Sequence, residues 1–426
     1  MTSKTPQNPE YEQLIKELGK QLAGKPLGEA LAPGSDSSLA QLIGSVVQAA
    51  LEQEMTEHLG YERGQRADAP RPNTRNGAYP KTLRTSQGPI EVQVPRDRHA
   101  QFEPHIVTKG QAISEELEQR IFAMLENGFS TRQITEQLEE IYHTQLSATS
   151  ISNLAKKLDE LLVQWRCRPL EQVYAIMIVD AIYLKVRGEQ GVRSTAVYQV
   201  CAYDDRGRLE VLGVYIPKDG ATEESARFWH SIFVDLQNRG VADVLYLCMD
   251  GLSGLPQAAQ AIWPQVSIQP CIVHLVRNSL RHVSSKRRHE MAKELRHIYQ
   301  APNYEAAQMR LDALTQKWGA EHQVSQQWER NLPQIESLFE VGPALRKKIS
   351  TTNAIENLHS HQRRYLKAHK SYPNRESALR RVTLVARKLS RKNTSAQRQR
   401  GGWLSVVNEL HILFDDRLPP HWGYIS

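Results

Sequence analysis

The fold turns on the stretch VYAIMIVDAIYLKV, residues 173–186. Its β-branched, apolar character reads as a strand, and a single carboxylate, Asp180, interrupts it. Downstream, STAVYQVCAYD (194–204) and RLEVLGVYIP (208–217) are two further β-rich runs joined by turns such as Asp204-Asp205-Arg206-Gly207. The pattern then alternates. A helical run, TEESARFWHSIFVDLQNRG, is followed by a strand, DVLYLCMD, and a helix, LSGLPQAAQAIW. A last strand, VSIQP, leads into the helix IVHLVRNSLRHV. Three meandering strands followed by alternating helix and strand imply a mixed five-stranded sheet with helices on its faces. From Ser284 to about Ser350 only helical periods appear.

Upstream, residues 1–36 mix polar residues with Pro and Gly and read as a flexible leader. Ser38 to Leu59 reads as an amphipathic helix that Gly60 stops. A small β unit follows, punctuated by Asn76-Gly77 and Gly88-Pro89, with Ile90, Val92 and Val94 on one strand face. It carries the cations Arg75, Lys81, Arg84, Arg96 and Arg98. Gly128 ends one helix, and Ser130 with Gln133 forms a capping-box start for the next, TRQITEQLEEIY. The short HTQLS turn leads into TSISNLAKKLDELLVQW, which carries Lys156 and Lys157. Helix, short turn, helix fits a helix-turn-helix that places its second helix in a DNA major groove. It equally fits an ordinary helical bundle.

The chain has 426 residues, enough for roughly two to four domains. It contains no run of about 18 apolar residues, so no membrane span is expected. The polar start lacks the apolar segment of a secretory signal, and a cytoplasmic location is expected. Cys167, Cys201, Cys248 and Cys271 lie far apart without a CxxC pair, which fits a reducing compartment. The net charge is +7, yet Val341–Arg400 alone holds sixteen Lys+Arg against two acids, or 16 − 2 = +14. Such concentration suggests a polyanionic partner.

One of those two acids is Glu356, in STTNAIENLHSHQRRYLK (350–367). Asp180 and Asp250 each follow an apolar strand run, where a carboxylate emerges at a sheet rim instead of sitting unpaired in the core. Each has a plainer explanation: a turn residue for Asp180, a helix N-cap for Asp250, and a capping box Asn353-x-x-Glu356 for the glutamate. Converging, the three would make a hard oxygen site suited to Mg²⁺ or Mn²⁺. Two such ions would serve phosphodiester chemistry, and the surrounding cations would hold the polyanion.

The strings VDAIYLKVR, MDGLSGLPQAAQAIWP, QPCIVHLVRN and TTNAIEN, with RNGAYPKTLRTSQGPIEVQVPRDR and FEPHIV upstream, resemble signatures of one family. That family is the DDE transposases of the mutator-type group of bacterial insertion sequences. The spacings, 250 − 180 = 70 and 356 − 250 = 106, leave room for a helical insertion before the glutamate. The resemblance covers about residues 40–410.

It implies an α/β RNase H-like catalytic core, a mixed five-stranded sheet with flanking helices and an all-α insertion. Mostly α N-terminal DNA-binding domains with a small β unit would precede it. The implied domains are a leader (1–36), a helix with the β unit (37–110) and a helix-turn-helix-like domain (111–168). The core (169–283), the insertion (284–349), the basic last core helices (350–400) and a tail (401–426) follow. The implied activity is divalent-metal-dependent DNA strand cleavage and strand transfer at terminal inverted repeats. Asp180, Asp250 and Glu356 would bind two Mg²⁺ or Mn²⁺ ions as the catalytic triad. Cys271-x-x-His274 matches the family's cysteine-and-histidine signature; lacking a second pair it is a poor zinc site, so no zinc is expected. His274 is expected near the reacting phosphate, with a structural histidine as the rival role, and Arg277 and Asn278 near DNA phosphate. Arg363, Arg364 and Lys367 are candidate strand contacts, although His359 and His361 depart from the family's usual asparagine and arginine run there. Trp318 and Trp328 are candidates either for core packing or for wedging against bases. The partners implied are DNA and a second copy of the chain. Two rival functions are a retired transposase that only binds DNA and a metal-dependent nuclease without strand transfer.

Overall fold

The computed structural model describes residues 37–65, 73–188, 191–217, 226–251, 254–319, 322–366, 370–394 and 402–423. The expected leader and Lys367 lie outside the described residues. The chain divides into two compact units, Met1–Leu158 and Asp159–Ser426.

In the first unit, helix α1 (Ser38–Leu59) starts where the Ser37 hydroxyl accepts the Ala40 amide, and it stops at Gly60 in the left-handed conformation, φ 76°. Strands β1 (Arg75–Thr85) and β2 (Gly88–Asp97) pair antiparallel. Ile90, Val92 and Val94 alternate inward and pack with Ala40 and Leu51 of α1. Asp97 closes the unit. Its carboxylate accepts from Asn73 Nδ2 at 2.6 Å and from the amides of Gln101 and Phe102 at 3.1 Å. Burial pushes its pKa up, but those hydrogen bonds outweigh it and hold the carboxyl well below the usual carboxylate range. Asp97→Ala is therefore expected to destabilise this unit by about 2–3 kcal/mol, because buried donors lose their acceptor. A denaturant melt that moves by under about 0.5 kcal/mol would refute that role. Because the folded pKa is lowered, the contribution is full above the ordinary carboxylate value and fades as pH falls below it.

Helices α2 (Glu115–Asn127), α3 (Thr131–Tyr142) and α4 (Ala148–Arg166) follow. Gly128 ends α2, and the Ser130–Gln133 capping box opens α3 as its sequence demands. His143 caps α3 in the left-handed region, φ 46°, before the short turn into α4.

The second unit holds a five-stranded sheet in the order β5-β4-β3-β6-β7. Its strands are β3 (Val173–Gly188), β4 (Gly191–Tyr203), β5 (Leu209–Tyr215), β6 (Asp243–Met249) and β7 (Ser267–Pro270). The meander β3-β4-β5 is antiparallel, whereas β6 and β7 run parallel to β3. Both faces are buried, which explains the near-continuous apolar runs. Met177 and Val179 pack with Trp229 and Trp263 from α5 (Ala226–Asn238) and α6 (Leu255–Ile262). Ile176, Ile178 and Ile182 face the other way, into a core shared with α7 (Ile272–Leu280) and α12 (Asn353–Leu366).

Between these two helices lie α8 (Arg288–Tyr299), α9 (Tyr304–Lys317), α10 (His322–Asn331) and α11 (Pro343–Ile349). Trp318 and Trp328 are 1% and 0% exposed, so both belong to core packing and neither serves as a wedge. Arg287 lies 4.0 Å over the Trp318 ring, and the Trp328 indole donates to Ser279 Oγ at 3.0 Å. The helices α13 (Arg375–Thr394) and α14 (Trp403–Phe414) complete the unit. Among the described residues, no helix is long and apolar enough to cross a membrane.

Candidate active site

The register of two parallel strands creates the site. The pairing of β3 with β6 ends at Val179 and Met249. The next residues on the two strands are Asp180 and Asp250, which therefore stand side by side where the ladder opens. The sequence places Asp180 at a strand end, but β3 runs on to Gly188 against β4. The rim is formed by the end of β6, not by the end of β3. Asp250 caps no helix, since α6 begins five residues later behind Gly254.

Helix α7 brings His274 and Arg277. Its start is pinned by the Cys271 amide on Met249 O at 2.8 Å and by the Ile272 amide on Ser350 O at 3.0 Å. The imidazole of His274 stands between two of the carboxylates: Nδ1 is 3.6 Å from Asp250 Oδ1, and Nε2 is 3.4 Å from Glu356 Oε1. Nδ1 is buried and has no hydrogen-bond partner. The Arg277 guanidinium lies 3.3 Å from the same Glu356 oxygen.

Glu356 rides on α12, whose first helical residue is Asn353. The Glu356 amide donates to Thr352 O at 2.9 Å, which makes Thr352 the cap position. Glu356 is then one residue too late for the capping box, and its carboxylate faces His274 and Arg277 instead.

The charges explain the titration. Burial raises the Asp250 pKa above the ordinary carboxylate value, and the nearby charges of Asp180 and Glu356 add to it against His274 and Arg277. The Cys271 sulfur, ahead of Asp250 and Asp180, raises the pKa of His274. Burial alone would push the Cys271 thiol up, but His274 and the Thr352 hydroxyl, 3.2 Å away, bring it below its usual value.

Three residues beneath the carboxylates carry no weight in the sequence reading. His359, 1% exposed, places Nδ1 3.3 Å from Asp180 Oδ2. Gln199 lies opposite Asp180 in the β3-β4 register, and it is fully buried. Its amide exchanges two hydrogen bonds with Gln362, of 2.6 and 2.9 Å. Glu356, His359 and Gln362 thus step along α12 at three-residue intervals, each meeting the site or its floor. The visible signal was Gln199 itself, a lone amide inside the apolar run VYQVCAY.

The remaining candidates are spread out. Arg75 is engaged within its own unit, 3.1 Å from Glu52 and 2.8 Å from Thr56 Oγ1. Lys81 donates to Thr108 O, Arg84 to Gln145 O, and Lys157 pairs with Glu118 at 2.5 Å. Arg96 covers the Tyr79 ring, whereas Arg98 and Lys156 are exposed. In the second unit Arg363 and Arg364 are exposed on α12, and Asn278 is half-buried on α7.

The donor chemistry fits a divalent cation: two carboxylates flank the His274 imidazole, Asp180 stands beside Asp250, and the mutual repulsion of the three marks a deficit of positive charge. Among the described residues, no three His, Cys, Asp or Glu side chains are already closed to ligating distance.

Relatives place the chain in a nucleic-acid-processing class of protein. The chain matches the family described as Transposase, Mutator family, over residues 17–396, and it belongs to that family. It is 35% identical over 402 residues to a probable transposase for insertion sequence element ISRM3-like from Sinorhizobium fredii. That match spans 94% of this chain and 98% of the relative. It is 34% identical, over the same shares, to the transposase for insertion sequence element ISRM3 from Rhizobium meliloti. A more distant relative, 26% identical over 82% of this chain and 89% of its own length, is the transposase for insertion sequence element IS256 in transposon Tn4001 from Staphylococcus aureus.

Proposed function

We propose that the chain is the transposase of an insertion sequence, binding its terminal inverted repeats and carrying out divalent-metal-dependent DNA cleavage and strand transfer. The observation that supports it most is the β3-β6 register, which sets Asp180 beside Asp250 while α12 directs Glu356 toward the same imidazole. In this reading the second unit is an RNase H-like core, and α8–α11 form an all-α insertion within it.

Asp180, Asp250 and Glu356 would hold Mg²⁺ or Mn²⁺. Bound there, a pair of such ions supplies Lewis-acid stabilisation to the attacking and leaving oxygens of a phosphodiester. The chain's own residues do the rest. Glu356 would help hold the ions, and Arg277, now 3.3 Å from it, would then be available to the phosphate. His274, its pKa raised, stands within reach to hold a proton beside the scissile group. Arg363, Arg364 and Lys367 track the strand backbone, with Asn278 alongside. In the first unit the β hairpin and the α3-turn-α4 pair grip the ends, presenting Arg98 and Lys156 to phosphate. Two element ends require two active sites, so the working form is a homodimer in the cytoplasm.

The test is cleavage and joining of DNA carrying the element's own ends, with Mg²⁺ or EDTA, by wild type and Glu356→Gln. Products that need metal and vanish in the variant, with end binding retained, support the assignment. Wild-type cutting by Glu356→Gln would overturn it. Cleavage without any joined product would favour a nuclease.

A further inference from the structure

One large cavity of the second unit has no part in the chemistry just described. It measures about 1000 Å³ and lies between α7, the end of α8, α11 and the start of α12. That is the upper end of the volume small-molecule sites occupy. Its inner wall is apolar, built from Ile272, Val273 and Val276 of α7 together with Phe339 and Val341. Its mouth carries Arg346, Lys347, Ser350, Thr351 and Asn353, and no carboxylate is among the described residues that line it.

Its place is informative. Val273 precedes His274, and Asn353 lies one helical turn before Glu356. The hydrogen bond from the Ile272 amide to Ser350 O ties these two walls together. The cavity therefore adjoins the carboxylates along the same two helix starts.

No carboxylate lining the cavity pairs with the charge at its mouth. The Arg346 guanidinium donates to the backbone carbonyls of Ala301, Phe339 and Val341 and lies over the Phe339 ring, with Glu409 the acid it feels. Its Nε is buried without a partner. Lys347 is exposed beside it. Two neighbouring cations at an opening that no acid lines favour an anion there.

Flat apolar walls, hydroxyl and amide groups at one edge, and cations without acids at the mouth match one ligand chemistry: a nucleotide, with its base inside and its phosphate at Arg346 and Lys347. We infer that this cavity receives a single nucleotide extruded from the DNA strand whose phosphate lies at the carboxylates. The inference rests on the proposed function and deepens it. Extrusion would draw the adjoining phosphate away from the duplex and toward Asp180 and Asp250.

The test uses the full chain with Asp250→Asn to prevent cutting, in EDTA. The probes are end-carrying duplexes in which one adenine near the cleavage position is replaced by 2-aminopurine, scanned position by position. At one position emission is expected to rise at least about threefold on binding, as the base leaves its stack. Val276→Trp fills the cavity and should abolish that rise while anisotropy still reports bound duplex. Lys347→Gln alters an exposed side chain, so its folding is not in question, and it should cut the rise at least about twofold. An unchanged rise in either folded variant overturns the inference. So does adenosine monophosphate that binds the chain and is not displaced by the duplex, which would make this a free-nucleotide site. Duplex binding with no emission change anywhere sinks the cavity assignment alone. Failure to bind duplex sinks the parent reading with it.

Discussion

Asp250→Asn is expected to lower strand cleavage by roughly 10³-fold or more while DNA binding stays within about threefold of wild type. The substitution keeps the shape of the side chain and removes the charge that would hold a cation. The fold should not suffer. Asp250 caps no helix, and burial with the charges of Asp180 and Glu356 raises its pKa. A carboxylate with a raised folded pKa destabilises the native state once pH exceeds its ordinary value, and this penalty is complete above the raised one. At neutral pH the neutral amide escapes it, so the melting temperature should hold or rise. Paired cleavage assays and thermal melts decide the matter. A variant that cuts at more than about a tenth of the wild-type rate removes Asp250 from the chemistry. One that melts well below wild type contradicts the electrostatic account of the cluster.

The second large effect concerns the floor of the site. Gln362→Leu leaves the Gln199 amide buried without its partner, and it is expected to cost on the order of 3 kcal/mol. Because Gln362 keys α12 against β4, Glu356 should shift as well, lowering cleavage by roughly 10–100-fold. Adding Gln199→Leu replaces the pair by apolar groups and should return stability to within about 1 kcal/mol of wild type. Cleavage should stay low in the double variant, since apolar contact fixes the register less sharply than two directed hydrogen bonds. Denaturant melts of the four proteins form a double-mutant cycle. Simple addition of the two single costs would mean that the amides do not act as a unit.

Much of this architecture is legible in the sequence because local signals and burial agree. The start and stop of α1, the Ser130 capping box and the two-faced apolar runs of β3 and β6 all declare themselves in short windows. The three carboxylates are also visible, being polar residues set against apolar or basic surroundings. What sequence does not reveal is register. Nothing near Asp180 says that β6 stops pairing at Val179, or that Gln199 stands across from it on β4. Nor does a capping-box pattern at Asn353 reveal that the helix starts one residue too early for it. His359 looks like a mere departure from the family's usual residue, yet it is the group nearest Asp180 on α12. Charge alone also does not reveal which basic residues of the first unit are already engaged within it. Arg75 reads as a phosphate contact by charge alone, while its guanidinium is held by Glu52 and Thr56.

The order of the acidic residues along the chain has a genetic corollary. The first unit ends at Leu158, and its hairpin and α1 share a core of their own, whereas Glu356 arrives only near the C-terminal end of the second. On the proposed function, a nonsense mutation anywhere between codons 167 and 355, beyond α4, would thus not yield a weaker enzyme. It would yield a fragment expected to occupy the element's ends and unable to cut them, so a damaged copy of the gene would interfere with an intact one. Dominance, rather than simple loss, is the phenotype this gene order favours.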